Sequence, residues 1–358
     1  MNGPTLSVAY TFTYRARAGD RVPWDLDRLD RLGRLRRRSP PRGGPQEMSS
    51  PLDRPSTRAG RARAHTAERP LDLSPRLAVR ACHHDTGEHT ALITEILALH
   101  DALVAAPDLE PGPTTDTLFT RLVGLAVAPR PAQVVDAVLG DPQLTERLPD
   151  LRARCAAGEY ALERAWARRI LAAVDPAAEL ERFPYVQNYR DLTRIEYHAV
   201  AGHAPSAPRR ALFVGSGPLP LSALMLARYG VRVDAVDVDP EAVALGGALA
   251  RALGDDVTVV EGDVLTLGDL TGYDLVCVAA LVGLAPDDKA AALAHVRAVM
   301  RPGATVLARS AHSLRGLLYP VLDVDDAAHG ALGGLDPVAV LHPHTDVVNS
   351  VVLARVPA

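Results

Sequence analysis

The sequence predicts an α/β architecture in which a bundle of helices precedes a doubly wound, mostly parallel sheet, and three observations lead there. Apolar residues recur every three or four positions from about 88 to 204, the rhythm of helices that bury one face. Beyond Pro208, short β-rich runs alternate with helical stretches of ten to twenty residues, the pattern of parallel strands with crossover helices on both faces. Two extended runs with a short connection close the chain, which suits a terminal hairpin.

Residues 1–80 are the first of three expected regions. They include RLGRLRRRSPPRGGPQEMSSPLDRPSTRAGRARA and carry 17 arginines against 8 acids, a net of +9 that leaves −13 for the rest of a 358-residue chain of net charge −4. Such a composition buries too little apolar surface to offset chain entropy, so a disordered Arg/Pro-rich arm is expected. No aromatic residue interleaves with the arginines from Arg28 to Arg63, which favours a solvated tail over a nucleic-acid-binding arm. The other option is upstream sequence before a true start at Met48. Lys289 is the sole lysine, so 38 of 39 basic residues are arginine, a bias that looks like a GC-rich coding sequence and not a set of chosen contacts. Cys82, Cys155 and Cys277 lie far apart and cannot all pair, which suggests reduced thiols and a cytoplasmic protein. The run Cys82, His83, His84 has no second ligand pair at useful spacing, so no metal is expected. No stretch approaches a membrane span, and the N-terminus lacks the pattern of a secretory signal.

The second region, 81–207, reads as a helical bundle. HTALITEILALHDALVAA, TTDTLFTRLVGLAVA and PAQVVDAVLG are separated by Pro-rich breaks at 107–113 and 129–131. A longer helix runs from Leu144 to Val174, with Leu151, Cys155, Leu162, Trp166 and Ile170 as its apolar stripe. The third region, 208–358, supplies β-rich runs at 211–215, 232–239, 257–263, 273–281 and 304–310, then 336–343 and 347–356. Five parallel strands followed by an antiparallel pair is the layout of class I S-adenosylmethionine-dependent transferases. The expected fold class is therefore a Rossmann-like domain of that class, preceded by an α-helical bundle domain that covers the active site.

The stretch LFVGSGPLPLSALML carries the ligand reading. Gly215, Ser216 and Gly217 follow an apolar strand, and small residues there let the backbone approach a ligand at the carboxyl end of the sheet. Asp237 ends the second strand 20 residues after Gly217, as an acid holding both ribose hydroxyls would. Asp263, in EGDV after the third strand, stands where these folds hold an adenine amino group, and Ala280 ends the fourth strand beside it. Pro218 and Pro220 then exclude a diphosphate, because a proline has no N–H to offer one. S-adenosylmethionine has a ribose, a sulfonium and an amino acid tail but no phosphate, and a stiff proline turn can position that tail.

FVGSGPLPLSALML, YDLVCVAALVGL, LARSAHSLRGLLYPVL and HPHTDVVNSVVLARV resemble the nicotianamine synthase family, as do LFTRLVGL, AGEYALERAWARRI and FPYVQNYRDLTRIE upstream. The resemblance covers roughly 88–358 and implies a transferase that moves the aminobutyrate arm of S-adenosylmethionine, not its methyl group, to an amine, with release of 5'-methylthioadenosine. It implies Glu163 and Tyr189 as the catalytic pair, with Glu159, one helical turn earlier, the competing carboxylate. It implies Arg309 and Arg315 as cations for substrate carboxylates, and His312, Tyr319 and Asn349 for orienting the acceptor. Three transfers with ring closure would give nicotianamine, and a single transfer to an amino acid such as histidine would give an opine-metallophore precursor. An ordinary small-molecule methyltransferase fits the glycine turn and Asp237 but leaves RSAH and the bundle unexplained. The expected partner is a small-molecule amine or amino acid acceptor, with a homodimer left open and neither membrane nor nucleic acid expected.

Overall fold

Proline and aspartate set where the helices begin. After α1 (Thr86–Ala105), α2 (Pro113–Val127) opens on a first-turn proline and α3 (Ala132–Leu139) follows Pro131. α4 (Pro142–Ala172) combines a first-turn proline with the Asp141 carboxylate, which accepts from the Leu144 N–H at 3.0 Å. A proline there sacrifices no helical hydrogen bond, and the aspartate satisfies one of the otherwise unpaired first-turn N–H groups. α5 (Pro176–Leu180) repeats the device with Asp175, and α6 (Val186–His203) completes the helical part. The computed structural model describes residues 86–358 apart from 205 and 325–329, all within one compact unit. The Arg-rich arm, Met48 and the Cys82–His84 run lie outside the described residues.

The sheet comprises β1 (Arg210–Val214), β2 (Arg232–Asp237), β3 (Val257–Glu261), β4 (Leu275–Val278), β5 (Thr305–Ser310), β6 (Asp336–Leu341) and β7 (Ser350–Arg355). Their order is β3-β2-β1-β4-β5-β7-β6. The first five run parallel, and β7 inserts antiparallel between β5 and β6. The expected strands are all present with trimmed ends: the run 273–281 contributes only Leu275–Val278, and Asp274 instead accepts the N–H groups of Arg209 and Arg210 at the strand start. α7 (Leu221–Arg228), α8 (Pro240–Leu253) and α9 (Pro286–Val299) are the crossovers. Strand order reverses between β1 and β4, which leaves a crevice at their carboxyl ends, where sheets of this kind bind ligands.

One apolar cluster fills the sheet, with Phe213, Val236, Val278 and Leu307 among its members. A second joins α1–α4 to Ala280, Leu281, Leu314, Tyr319 and Val348, so the helical layer packs against the loops at the carboxyl end of the strands. The inward face of α4 departs from the expected stripe. Leu151, Cys155 and Ile170 lie on it, but Leu162 and Trp166 are half-buried on its flank. The row Cys155, Glu159, Glu163, Ala167, Ile170, at spacings of four and three, is buried in their place. A stripe traced through apolar residues alone passes beside a face that carries two carboxyls. Among the described residues no helix is long and apolar enough to cross a membrane.

Candidate functional site

The glycine turn and α4 meet at one point. Gly215 and Gly217 adopt φ of 79° and 67°, which glycine alone adopts freely, and a Cβ on Gly217 would lie 2.5 Å from Glu163 Oε2. The turn is tied to β2: Gly215 N–H donates to Val236 O at 2.8 Å and Gly217 N–H to Asp237 Oδ2 at 2.8 Å. These N–H groups are therefore engaged with the protein and form no open anion cradle. α7 starts only at Leu221, so Pro218 and Pro220 form the approach to the helix, and Pro220 lies 3.3 Å from where a Cβ of Gly246 in α8 would stand. Ser216 is buried, and among the described residues its Oγ has no hydrogen-bond partner. Asp237 is buried, and desolvation raises its carboxyl while N–H groups of Gly217 and Asp239 oppose the shift. Asp263 is exposed and caps a short 3₁₀ turn, Val264–Thr266, by accepting from Leu265 N–H at 2.9 Å. Ala280 is buried just past β4.

Glu163, 3 % exposed, accepts from the Tyr189 hydroxyl at 2.7 Å through Oε1. Its carboxyl is pushed up to about 8, chiefly by burial, with the Tyr189 hydrogen bond pulling the other way and the Asp237 charge adding to the rise. Glu159, one turn earlier on the same buried face, is raised well above the carboxylate range by burial and then by the Glu163 charge and hydrogen bond. Two carboxyls this close in a buried site titrate as a pair, and each disfavours ionisation of the other. Tyr189 is likewise buried and its phenol raised. A cavity of about 540 Å³ lies between α4 and the end of β2, walled by Tyr160, Arg164, Val238, Asp239 and Glu241, and its lining does not include Glu163, Tyr189 or Gly217.

The residues expected at the acceptor side fall into two groups. Arg309 is buried in β5 with its fork engaged: Nε and Nη2 donate to the Glu196 carboxylate at 2.7 and 3.0 Å, and Nη2 also to Ser222 Oγ at 2.7 Å. The guanidinium lies 5.1 Å over the Phe213 ring. It ties α6 to the sheet and, as a buried cation, lowers the carboxyl of Glu159 and the phenol of Tyr189. His312, Arg315 and Tyr319 follow β5 in the chain, in and beside the 3₁₀ turn Ser313–Leu317, and Asn349 immediately precedes β7, the antiparallel neighbour of β5. Arg315 Nη2 donates to Thr345 O at 2.7 Å, while Arg315 Nε and Asn349 Nδ2 are buried without hydrogen-bond partners among the described residues. His312 stacks on His342 at 4.4 Å, and both rings approach Ser350 Oγ. Burial first, then His342, Arg315 and His344, lowers His312 to about 4, so it is neutral at pH 7. The left-handed backbone of Ser313, φ 56°, sets the 3₁₀ turn Ser313–Leu317 that carries Arg315. A second cavity, about 360 Å³, is lined here by Arg130, Asp136, His312, Arg315 and His344.

A family model described as nicotianamine synthase protein matches residues 84–358. The chain belongs to the nicotianamine synthase family. It is 40 % identical to nicotianamine synthase 2 of Oryza sativa subsp. japonica over 278 residues, 75 % of this chain and 83 % of the rice protein. Nicotianamine synthase 1 of Hordeum vulgare is 39 % identical over 277 residues, 75 % and 82 % of the two chains. The crystal structure of MtNAS in complex with MTA and tNA superposes with a TM-score of 0.66 at 22 % identity, covering 76 % of this chain and 99 % of that one. At that identity the likeness shows the fold, including the helical layer over a Rossmann-like sheet.

In this nicotianamine synthase family member Glu196, Ser222 and Lys289 join buried polar contacts that no sequence motif marks. Glu196 had a legible signal, since Tyr189, Leu192, Thr193 and Glu196 follow the buried spacing of α6 and a carboxylate on that face needs a cation. Ser222 had none, because a serine opening a helix is commonplace. Lys289 was visible only as the one lysine in the chain.

Proposed function

We propose that this chain transfers the aminobutyrate (3-amino-3-carboxypropyl) arm of S-adenosylmethionine to an amine, releases 5'-methylthioadenosine and so builds nicotianamine or a closely related metal chelator. The carrying observation is that the buried Glu163–Tyr189 pair abuts Gly217 of the donor turn, so a proton acceptor sits where the donor's tail would lie. The plant relatives named nicotianamine synthase, at about 40 % identity, support the same reading.

In this reading Gly215, Ser216, Gly217 and Pro218 line the donor tail, Asp237 takes the ribose and Asp263 the adenine, with Ala280 forming the opposite lip. The unpaired Ser216 Oγ fits a polar ligand there. The acceptor nitrogen forms a bond to the methylene carbon beside sulfur, the C–S bond breaks with its electrons on sulfur, and the amine's proton passes to Glu163. All three carbons on a sulfonium are electrophilic, so orientation decides which one reacts. A carboxyl raised to about 8 suits the step, since it holds enough basicity to accept an ammonium proton near neutral pH. Arg315 and Asn349, each with a buried donor lacking a partner, bind acceptor carboxylates, and His312 and Tyr319 orient them. Arg309 serves as a positioning cation because its fork is already held by Glu196. The reduced, buried Cys155 and Cys277 favour a cytoplasmic setting.

Incubation of the full chain with S-adenosylmethionine, followed by mass analysis, tests this. Methylthioadenosine without an added acceptor indicates nicotianamine, and dependence on a second amino acid indicates the single-transfer route. S-adenosylhomocysteine with a methylated acceptor would overturn the proposal.

A further inference from the structure

In a chain that uses arginine at every other basic position, one lysine is kept, and it is buried. Lys289, in the first turns of α9, is 3 % exposed, and no salt bridge to it occurs among the described residues. Its Nζ donates to Ala279 O and Ala280 O, each at 2.8 Å. The segment it grips is the exit of β4, one lip of the crevice where strand order reverses, with the Gly215–Gly217 turn of β1 as the other lip. Ala279 N–H is itself bonded to Val214 O at 3.0 Å, so the grip is referred directly to β1. The loop then folds back so closely that a Cβ on Gly283 would fall 2.4 Å from Lys289 N. Loop and helix start are thus one packed unit.

A trans peptide points its carbonyl and the following N–H in opposite directions. Holding the carbonyls of residues 279 and 280 toward Nζ therefore turns the N–H groups of Ala280 and Leu281 away from it. Both residues are buried, and neither N–H donates a hydrogen bond among the described residues. Buried backbone donors without partners are rare in folded proteins, and at the mouth of a ligand crevice they mark a place for an acceptor atom.

We propose that Lys289 is a positioning residue for the donor site: by anchoring the Ala279 and Ala280 carbonyls it presents the Ala280 and Leu281 N–H groups to acceptor atoms of the bound nucleoside. This rests on the reading of S-adenosylmethionine as the donor. It accounts for the retained lysine. Burial alone pushes its amine down to about 7. A neutral amine keeps two N–H donors, matching the two carbonyls, and the ammonium keeps three, so the anchor holds in either state. An arginine cannot shed its proton, so its full charge would have to stay buried there.

The test compares the wild-type chain with Lys289→Met, which keeps the stem and removes the donors. Calorimetric titration with S-adenosylmethionine and with methylthioadenosine measures affinity without turnover, and thermal unfolding is recorded for both proteins. The expected result is a Kd for both nucleosides raised at least tenfold in Lys289→Met, with the unfolding midpoint of the free protein within a few degrees of wild type. In turnover the loss falls on KM for the donor, with kcat changed far less. Unchanged Kd in a folded variant overturns the proposal. If the variant does not fold, amide resonances of the wild-type protein decide: those of Ala280 and Leu281 shift downfield on adding methylthioadenosine, and unmoved resonances overturn it. Failure of the wild-type chain to bind either nucleoside would sink the donor reading itself, a distinguishable outcome.

Discussion

In the proposed step Glu163 faces opposing demands, since burial favours its acid form and proton acceptance would need its base form. The acid form predominates below about 8. The kcat/KM of the transferase should therefore climb about tenfold per pH unit on the acid side and level off above about 8. Glu163→Gln should remove that limb and lower kcat by about 10²–10⁴, measured by methylthioadenosine release. Stability should run the opposite way. The folded protein keeps a proton on Glu163 from the ordinary 4.5 up to about 8, whereas the unfolded chain releases it, so folding stability falls with pH in that window. This one proton adds about 1.4 kcal/mol per pH unit to that fall, so urea unfolding followed between pH 5 and 8 should show a steeper slope in wild type than in Glu163→Gln, which keeps the contribution of the likewise raised Glu159. Tyr189→Phe removes the hydrogen bond that draws the carboxyl down, so the acid limb of the pH profile should move to higher pH. A limb unmoved, or moved to lower pH, contradicts the role given to the hydroxyl.

At the level of elements, the Arg309–Glu196 pair decides how α6 sits on β5. Both side chains are almost fully buried, and two hydrogen bonds join them. Breaking such a pair from one side leaves an uncompensated charge, so Arg309→Met should cost about 3–5 kcal/mol in urea unfolding. The double variant Arg309→Met/Glu196→Leu, which removes both charges, should recover most of that loss. A double variant as unstable as the sum of its parts would mean that packing, not charge, holds the two elements. This pair also shows where the sequence was legible and where it was not. A basic residue ending a β-rich run was readable as special, but whether its fork meets a ligand or a carboxylate depends on a partner 113 positions away. The central strands β1, β4, β5 and β7 announced themselves because burial on both faces demands continuous apolar runs, whereas the edge strands β3 and β6 are largely exposed. The inward face of α4 did not, since Glu159 and Glu163 look like solvated helix residues until the sheet's glycine turn is brought against them.

At the scale of the whole molecule, the proposed site lies on a seam. Glu163 and Tyr189 come from the helical part, Gly217 and Asp237 from the sheet, and apolar packing spans both where α1–α4 meet Leu314, Tyr319 and Val348. The sequence identified the two parts by their periodicities, but the seam has no periodicity and depends on which helix face meets which strand end. If the seam is a continuous core, residues 86–358 should unfold in one cooperative transition. A donor that touches both sides should stabilise both: S-adenosylmethionine at a hundred times its Kd should add about 2.7 kcal/mol and raise the whole transition as a unit. Calorimetry with and without the donor checks this. Two transitions, only one of them moved by S-adenosylmethionine, would place the nucleoside wholly on the sheet and leave Glu163 and Tyr189 outside its reach.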